Sequence, residues 1–177
     1  ELASALGADG ILVVPGGLDQ DTTLLQAHEN AFNALSSLTS EIKASKLLVG
    51  LENVWNGFFM SPFDMVSFLD ALDCPSIGAY FDVGNVAVHS EPDHWIEILG
   101  GRIVKVHVKD FLRSHGLYSG WFVNLLEGSI HWDKVMESLR TAGYDGYLTA
   151  ELSAMPHSPT YLYQITSSAL DILLQAA

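Results

Sequence analysis

Short runs in which apolar and polar residues alternate recur along this chain, and between them the apolar spacing lengthens to that of a helix. Five runs read as strands: GILVV near residue 10, LLVGLEN near 47, IGAYFDVGN near 77, IVKVHVKD over 103–110 and YLTAEL near 147. From Asp21 to about Ser45 the apolar residues Leu24, Leu25, Ala31, Leu35, Leu38 and Ile42 approximate helical spacing. SPFDMVSFLDALD opens with Ser61 as an N-cap, Pro62 in the first turn and Asp64 in capping-box position. EPDHWIEILGG supplies another helix, HWDKVMESLRTAG closes on Gly143 as a C-cap, and the tail TYLYQITSSALDILLQAA adds one more. Strands alternating with helices indicate βα units with parallel strands.

Neighbouring side chains on a strand point to opposite faces, so parity assigns each run two sides. In IVKVHVKD, Val104, Val106 and Val108 share one side, and Lys105, His107 and Lys109 share the other. One strand of this kind fits a surface sheet with a solvated histidine. The other strands repeat the division. Leu47, Val49 and Leu51 oppose Leu48, Gly50 and Glu52; Ala79, Phe81 and Val83 oppose Tyr80, Asp82 and Gly84; Leu148, Ala150 and Leu152 oppose Tyr147, Thr149 and Glu151. Each strand thus has an apolar face suited to helices and a second face ending in Glu52, Asp82, His107 or Glu151, near its C-terminal end.

Parallel α/β folds place their sites at the carboxyl ends of strands. In a flat sheet, with strands about 4.8 Å apart, four successive strand ends would spread over roughly 14 Å. Metal–ligand bonds are only about 2 Å long. Curling the sheet into a barrel turns the four side chains toward a common axis, so barrel curvature is expected over an open doubly wound sheet. Three carboxylates and an imidazole suit Mn²⁺ first, with Mg²⁺, Co²⁺ or Zn²⁺ also compatible. The competing reading is structural: Asp82 and Glu52 as loop caps and His107 as a satisfied core histidine.

At 177 residues the chain is long enough for a single domain with a sizeable core, and 49% of its residues are hydrophobic, which argues against disorder. Lys and Arg number 8 against 21 Asp and Glu, a formal net charge of −13 at pH 7. That field disfavours nucleic acid as a partner. No apolar run approaches membrane-spanning length and no basic-plus-apolar leader opens the chain, so a cytoplasmic location without membrane partners is expected. The one cysteine, Cys74, has no partner for an internal disulfide and no zinc-motif neighbours, and is expected to be a small buried residue.

The stretches GLENVWNGF, YFDVGNV, VKVHVKDF and LLEGSIHWDKVMESLRTAGYDGYLTAEL, in that order, resemble the xylose-isomerase-like (β/α)₈ barrel superfamily. The resemblance runs from about residue 8 to the end and is similar in detail to the sugar phosphate isomerase/epimerase branch, with its L-ribulose-5-phosphate, L-xylulose-5-phosphate and D-tagatose 3-epimerases. It implies one divalent ion held by Glu52, Asp82, His107 and Glu151. It also implies a substrate contact from Arg113, six positions after the histidine. Asn85 stands where ketose 3-epimerases carry a substrate-contacting histidine, and Phe58 where they carry a further glutamate. Trp55, just after Glu52, has two readings, a sugar-pocket wall or a cover over the barrel rim.

The implied chemistry is proton transfer next to a ketose carbonyl through an enediolate, on a small-molecule sugar or sugar phosphate. Glu52 and Glu151 are the expected acid and base, with Arg113 and Lys109 positioning oxygen or phosphate groups. Glu127 and Gly128 precede a helix start that could face phosphate. A plain turn leading into Trp132 as a core anchor is the expected account.

The family's barrel needs eight strands and typically about 250 residues. Five strands are read here, so the expected fold is a partial TIM barrel, residues 1–177 forming the C-terminal five βα units of a longer enzyme whose first three units are missing. Open sheet edges then predict a homo-oligomer. Two other classes compete: an endonuclease-IV-like DNA repair enzyme, whose three-zinc site is rich in histidines, and a catalytically inactive sugar-binding or assembly fragment of the same fold.

Overall fold

In the computed structural model, which describes residues 2–175, the alternating runs become strands and the stretches between them helices. The order is α1 (Leu2–Ala5), β1 (Gly10–Val13), α2 (Leu24–Ser45), β2 (Leu48–Glu52), α3 (Pro62–Leu72), β3 (Ile77–Asp82), α4 (Val83–Ala87), α5 (Pro92–Leu99), a 3₁₀ turn (Gly100–Arg102), β4 (Ile103–Val108), β5 (Asp110–Arg113), β6 (Gly120–Val123), α6 (Trp132–Thr141), β7 (Leu148–Ala150) and α7 (Pro159–Gln175). Five strands form one sheet in the order β1-β2-β3-β4-β7, with β1–β2, β2–β3 and β4–β7 paired in parallel. This is the strand–helix succession of a partial (β/α)₈ barrel. The antiparallel pair β5–β6 forms a separate hairpin. Among the described residues no helix is long and apolar enough to cross a membrane.

The chain divides into two compact units, Glu1–Phe81 with Arg102–Lys105, and Asp82–Gly101 with Val106–Ala177. In the first, Thr23 starts α2 with a reciprocal capping box: its side chain accepts from the Gln26 amide while the Gln26 side chain accepts from the Thr23 amide. The helix therefore begins at Leu24 rather than Asp21. Its buried residues are Ala27 and Leu35, whereas Leu24, Leu25 and Leu38 face solvent. Ser61 caps α3 by accepting from the Phe63 amide. The core gathers Phe32, Phe58, Phe59 and Phe68, with ring centroids 4.7–5.8 Å apart in edge-to-face contacts. Gly16, at φ +77°, admits Phe58 so closely that a Cβ there would lie 2.1 Å from its ring. The Asn56 side chain locks this approach by donating to the Pro15 and Gly16 carbonyls.

In the second unit, β3 stops at Asp82, and Val83 and Gly84 belong to α4 instead of continuing the strand. The cause is local: the Asp82 side chain accepts from the Asn85 amide and caps a new helix. Val83, Val86, Trp95, Ile96, Leu99, Val106, Val108, Val135 and Leu139 are buried in this unit. α6 ends as Gly143 predicts. Gly143 takes φ +78°, its amide donates to Arg140 O, and the Tyr144 amide donates to Leu139 O, the paired bonds of a Schellman cap. The tail helix expected over 160–177 is α7, starting one residue earlier at Pro159; Ala176 and Ala177 lie outside the described residues, as does Glu1. Cys74 is buried and free.

Candidate metal centre

Three strand ends of the second unit bring Asp82, His107 and Glu151 around one ammonium group. Asp82 closes β3 and is fully buried; its Oδ1 is taken up by the α4 cap, and Oδ2 lies 3.2 Å from Lys109 Nζ and 3.7 Å from His107 Nδ1. His107 Nδ1 is also 3.7 Å from Glu151 Oε2. Lys109 donates to that same oxygen at 2.5 Å. Glu151 follows β7 directly, its amide donating to Val108 O, so the backbone ladder fixes the start of its side chain. Lys109 reaches the cluster because Gly84 has no side chain: a Cβ there would stand 2.3 Å from Lys109 Cγ.

The charges are mutually adjusted. Burial works against the Lys109 ammonium, but Asp82 and Glu151 outweigh it and hold its pKa above the ordinary lysine value. Burial likewise works against the Glu151 carboxylate. The hydrogen bond and charge of Lys109, with a smaller contribution from His107, outweigh it and keep Glu151 below the usual glutamate value.

Glu52, the last residue of β2, is buried at 6% exposure. Within the second unit one donor atom each from Asp82, His107 and Glu151 lies within 4.8 Å of the others, a group that could hold a metal ion. Two or three such donors on a single ion at bonds of about 2 Å are separated by about 3–4 Å, so small side-chain adjustments suffice.

Beside this cluster, within the second unit, lies a cleft of about 470 Å³ lined by Lys109, Phe122, Asn124, Glu127, Glu151 and Ser153, among others. Its wall is the β5–β6 hairpin and the loop that follows, a feature that the strand reading of IVKVHVKD stops short of. Asp110 seats that wall. Fully buried, it accepts from the Phe111 amide at 2.8 Å, the Leu126 amide at 3.0 Å, the Gly128 amide at 3.1 Å and the Trp132 indole at 2.9 Å. Gly128 is required, because a Cβ there would meet Asp110 Oδ1 at 2.0 Å. The Glu127 carboxylate accepts from the Asn124 amide and side chain, so Glu127 and Gly128 form a turn leading into the buried Trp132. The sequence signal for this hub was an acid directly after a strand with a glycine and a tryptophan downstream, visible only with the pairing known.

The remaining expected substrate residues are placed as follows. Arg113 donates to the Ala87 carbonyl at 2.8 Å, to the Ser90 carbonyl and to the Glu91 carboxylate, which ties β5 to the end of α4. Asn85 is buried in the first turn of α4. Trp55 is 54% exposed in the loop after β2. Phe58 is committed to the aromatic core of the first unit.

Residues 1–170 match the family model described as xylose isomerase-like TIM barrel. The chain belongs to this family. Among curated relatives it is 27% identical over 159 residues to the protein MJ1311 of Methanocaldococcus jannaschii, covering 85% of this chain and 53% of that protein. It is 29% identical over 119 residues to the 3-oxo-isoapionate decarboxylase of Pectobacterium atrosepticum, covering 63% of this chain and 42% of that enzyme. The chain thus spans about half the length of the curated relatives it matches.

Solved structures of the same fold include a xylose isomerase domain protein from Planctomyces limnophilus, with TM-score 0.80, 22% identity, and 98% of this chain matched to 61% of that one. A D-allulose 3-epimerase from Methylomonas sp. gives TM-score 0.78 at 16% identity, over 99% of this chain and 66% of that one. A family protein from Mycobacterium smegmatis, solved in complex with magnesium, gives TM-score 0.71 at 18% identity, over 96% of this chain and 64% of that one. At these identities the likeness is one of fold.

Proposed function

We propose that this chain carries the metal-binding strand ends of a divalent-metal-dependent sugar epimerase or isomerase. The observation that carries the reading is the convergence of Asp82, His107 and Glu151 to within 4.8 Å, with Glu52 at the end of β2 as the proposed fourth ligand. The donor chemistry fits a hard divalent cation, and Mn²⁺ is the proposed ion. The Lys109 ammonium already lies against Asp82 and Glu151, and this placement of positive charge between the carboxylates supports the reading. Support from relatives is of two kinds: one structure of this fold is named a D-allulose 3-epimerase, and another holds magnesium. The endonuclease-type reading requires several histidines, and among the described residues the group has one, His107.

When bound, the ion supplies Lewis-acid stabilisation of negative charge on a carbonyl oxygen. The chain's own residues do the rest. Asp82, locked by its cap on α4, and His107, set on a strand, hold fixed positions. Glu151, half exposed and open to the cleft, removes a proton from the carbon next to the carbonyl, and Glu52 is the group proposed to return one. The cleft beside Glu151 receives the sugar.

A second reading is favoured by the decarboxylase among the relatives: loss of CO₂ from a 3-oxo acid also leaves charge next to a carbonyl, and Lys109 is placed to meet a carboxylate. The test is solvent deuterium uptake at carbon in a panel of ketoses and ketose phosphates, with CO₂ release from 3-oxo sugar acids followed in parallel, using the protein loaded with Mn²⁺. Glu52→Gln and Glu151→Gln should each lower exchange by about 10²–10⁴-fold while the fold persists. Unchanged exchange in both variants refutes the assignment, and CO₂ release from the 3-oxo acids without exchange in the ketoses selects the second reading.

A further inference from the structure

We infer that Lys109 is a built-in competitor for the divalent ion: its ammonium holds Asp82 and Glu151 together when no ion is bound and has to give up Glu151 when one is. The inference rests on the metal reading above and extends it to how the site is loaded.

The geometry makes Lys109 more than an ordinary strand-end ion pair. Its ammonium sits 2.5 Å from Glu151 Oε2 and 3.2 Å from Asp82 Oδ2, so it touches two members of the candidate ligand set at once. The side chain is only 14% exposed. Water and salt therefore screen it less than a charge on the open surface, and it acts on anything placed between those carboxylates. Its stem is confined by the close passage over Gly84, so the ammonium cannot retreat along the strand. What remains open is the cleft side, where the Phe122 ring lies 5.2 Å from Nζ. An aromatic face holds an ammonium without a carboxylate, which gives Lys109 a second resting place on the cleft wall.

Two opposing effects decide what removal of the charge does. Lys109 relieves repulsion between Asp82 and Glu151 and so pre-assembles them, which favours ion binding. It also repels a doubly charged ion and occupies the Glu151 oxygen. The second effect dominates, because the repulsion involves a double charge at short range, whereas without lysine the α4 cap still holds Asp82 and the backbone bond to Val108 still fixes the start of Glu151.

Mn²⁺ binding to the metal-free chain, measured by calorimetry and by electron paramagnetic resonance of the free ion, tests this without reference to turnover. Lys109→Met should bind Mn²⁺ on the order of tenfold tighter than the unaltered chain. Lys109→Arg, which keeps the charge, should stay within about threefold, and Lys134→Met, which removes an exposed charge on α6, within about twofold. Without metal, Lys109→Met should melt lower than the unaltered chain, and saturating Mn²⁺ should raise its Tm by more. If Lys109→Met does not fold without metal, Lys109→Gln, which still donates to Glu151 but carries no charge, should show the same gain. Equal or weaker Mn²⁺ binding by a folded uncharged variant overturns the inference. Failure of the unaltered chain itself to bind Mn²⁺ saturably overturns the metal reading and the inference with it.

Discussion

Two aspartates of the second unit, Asp82 and Asp110, are both 0% exposed, yet their surroundings are opposite in kind. Asp110 is surrounded by N–H donors that belong to the fold: three backbone amides and the Trp132 indole. Asp82 gives one oxygen to a helix cap and turns the other toward the ammonium of Lys109 and the ring of His107. Both acids carry the cost of burial, and both are compensated. The difference lies in whether the compensation can leave. Backbone amides cannot move without unfolding the loop, whereas a lysine side chain can turn away and give its place to another cation. A buried carboxylate facing mobile cations is therefore the mark of a site, and one facing fixed amides is the mark of a joint.

Alanine at each position should separate the two roles. Asp110→Ala leaves several buried donors unsatisfied, and a loss of roughly 3–5 kcal/mol in urea-unfolding stability is expected. In the molecules that remain folded, Mn²⁺ affinity should stay within about threefold of the unaltered chain. Asp82→Ala should do the reverse: a loss of about 1 kcal/mol from the α4 cap, with Mn²⁺ affinity lowered by at least about 100-fold. Equal stability losses, or a metal defect in Asp110→Ala as large as that in Asp82→Ala, would show that the distinction by partner type is wrong.

The contrast also explains what the sequence disclosed. Strand parity is a local rule, and it suffices to place Glu52 and Asp82 at the last positions of β2 and β3, His107 one short of the end of β4, and Glu151 one past β7. The Asp110 hub follows no local rule, because its donors come from 1, 16, 18 and 22 residues away. The same applies to the β5–β6 hairpin. Its strands are separated by the stretch from Ser114 to Ser119, whose glycine and serines look like any loop until Phe111 is paired with Phe122. Helix periodicity over 21–45 was visible, but the buried face was not: Leu24 and Leu25 have helical spacing and are nevertheless exposed, while the smaller Ala27 is buried. Periodicity reports that a face exists, and only packing tells which face is covered. Arg113 shows the same limit. The family resemblance implied a substrate contact for it, and its bonds to Ala87, Ser90 and Glu91, which tie the hairpin to α4, could not be read from its place in the chain.

A milder change sharpens the picture of Asp110 as a joint. Trp132→Phe keeps the buried ring and deletes a single donor, leaving three amides on the carboxylate. A stability loss of about 1–2 kcal/mol is expected, with Mn²⁺ affinity unchanged. A loss as large as that of Asp110→Ala would mean that the ring's packing, and not the carboxylate, seats the wall.

The smallest effect concerns the outer end of the same hairpin. His89 stacks against Trp95 and meets Tyr118 edge-on, each at 5.8 Å, and Tyr118 also donates its amide to Val88 O. Burial, assisted by the positive charge of Arg113, lowers the His89 pKa below 6.5. A base with a lowered pKa in the folded state binds fewer protons there than in the unfolded chain. Stability is therefore fully present above pH 6.5 and falls as the pH drops through that value toward the lower folded pKa, with no further loss from this group below it. Melting curves from about pH 8 to about pH 5 should show a steeper decline for the unaltered chain than for His89→Gln, by less than the Trp132→Phe effect because His89 is only half-buried. Parallel pH profiles for the two chains would remove His89 from the contacts that hold the hairpin. A divergence would extend the joint centred on Asp110 outward to Tyr118, which leaves Lys109 and the strand-end carboxylates as the part of this unit built to exchange its partners.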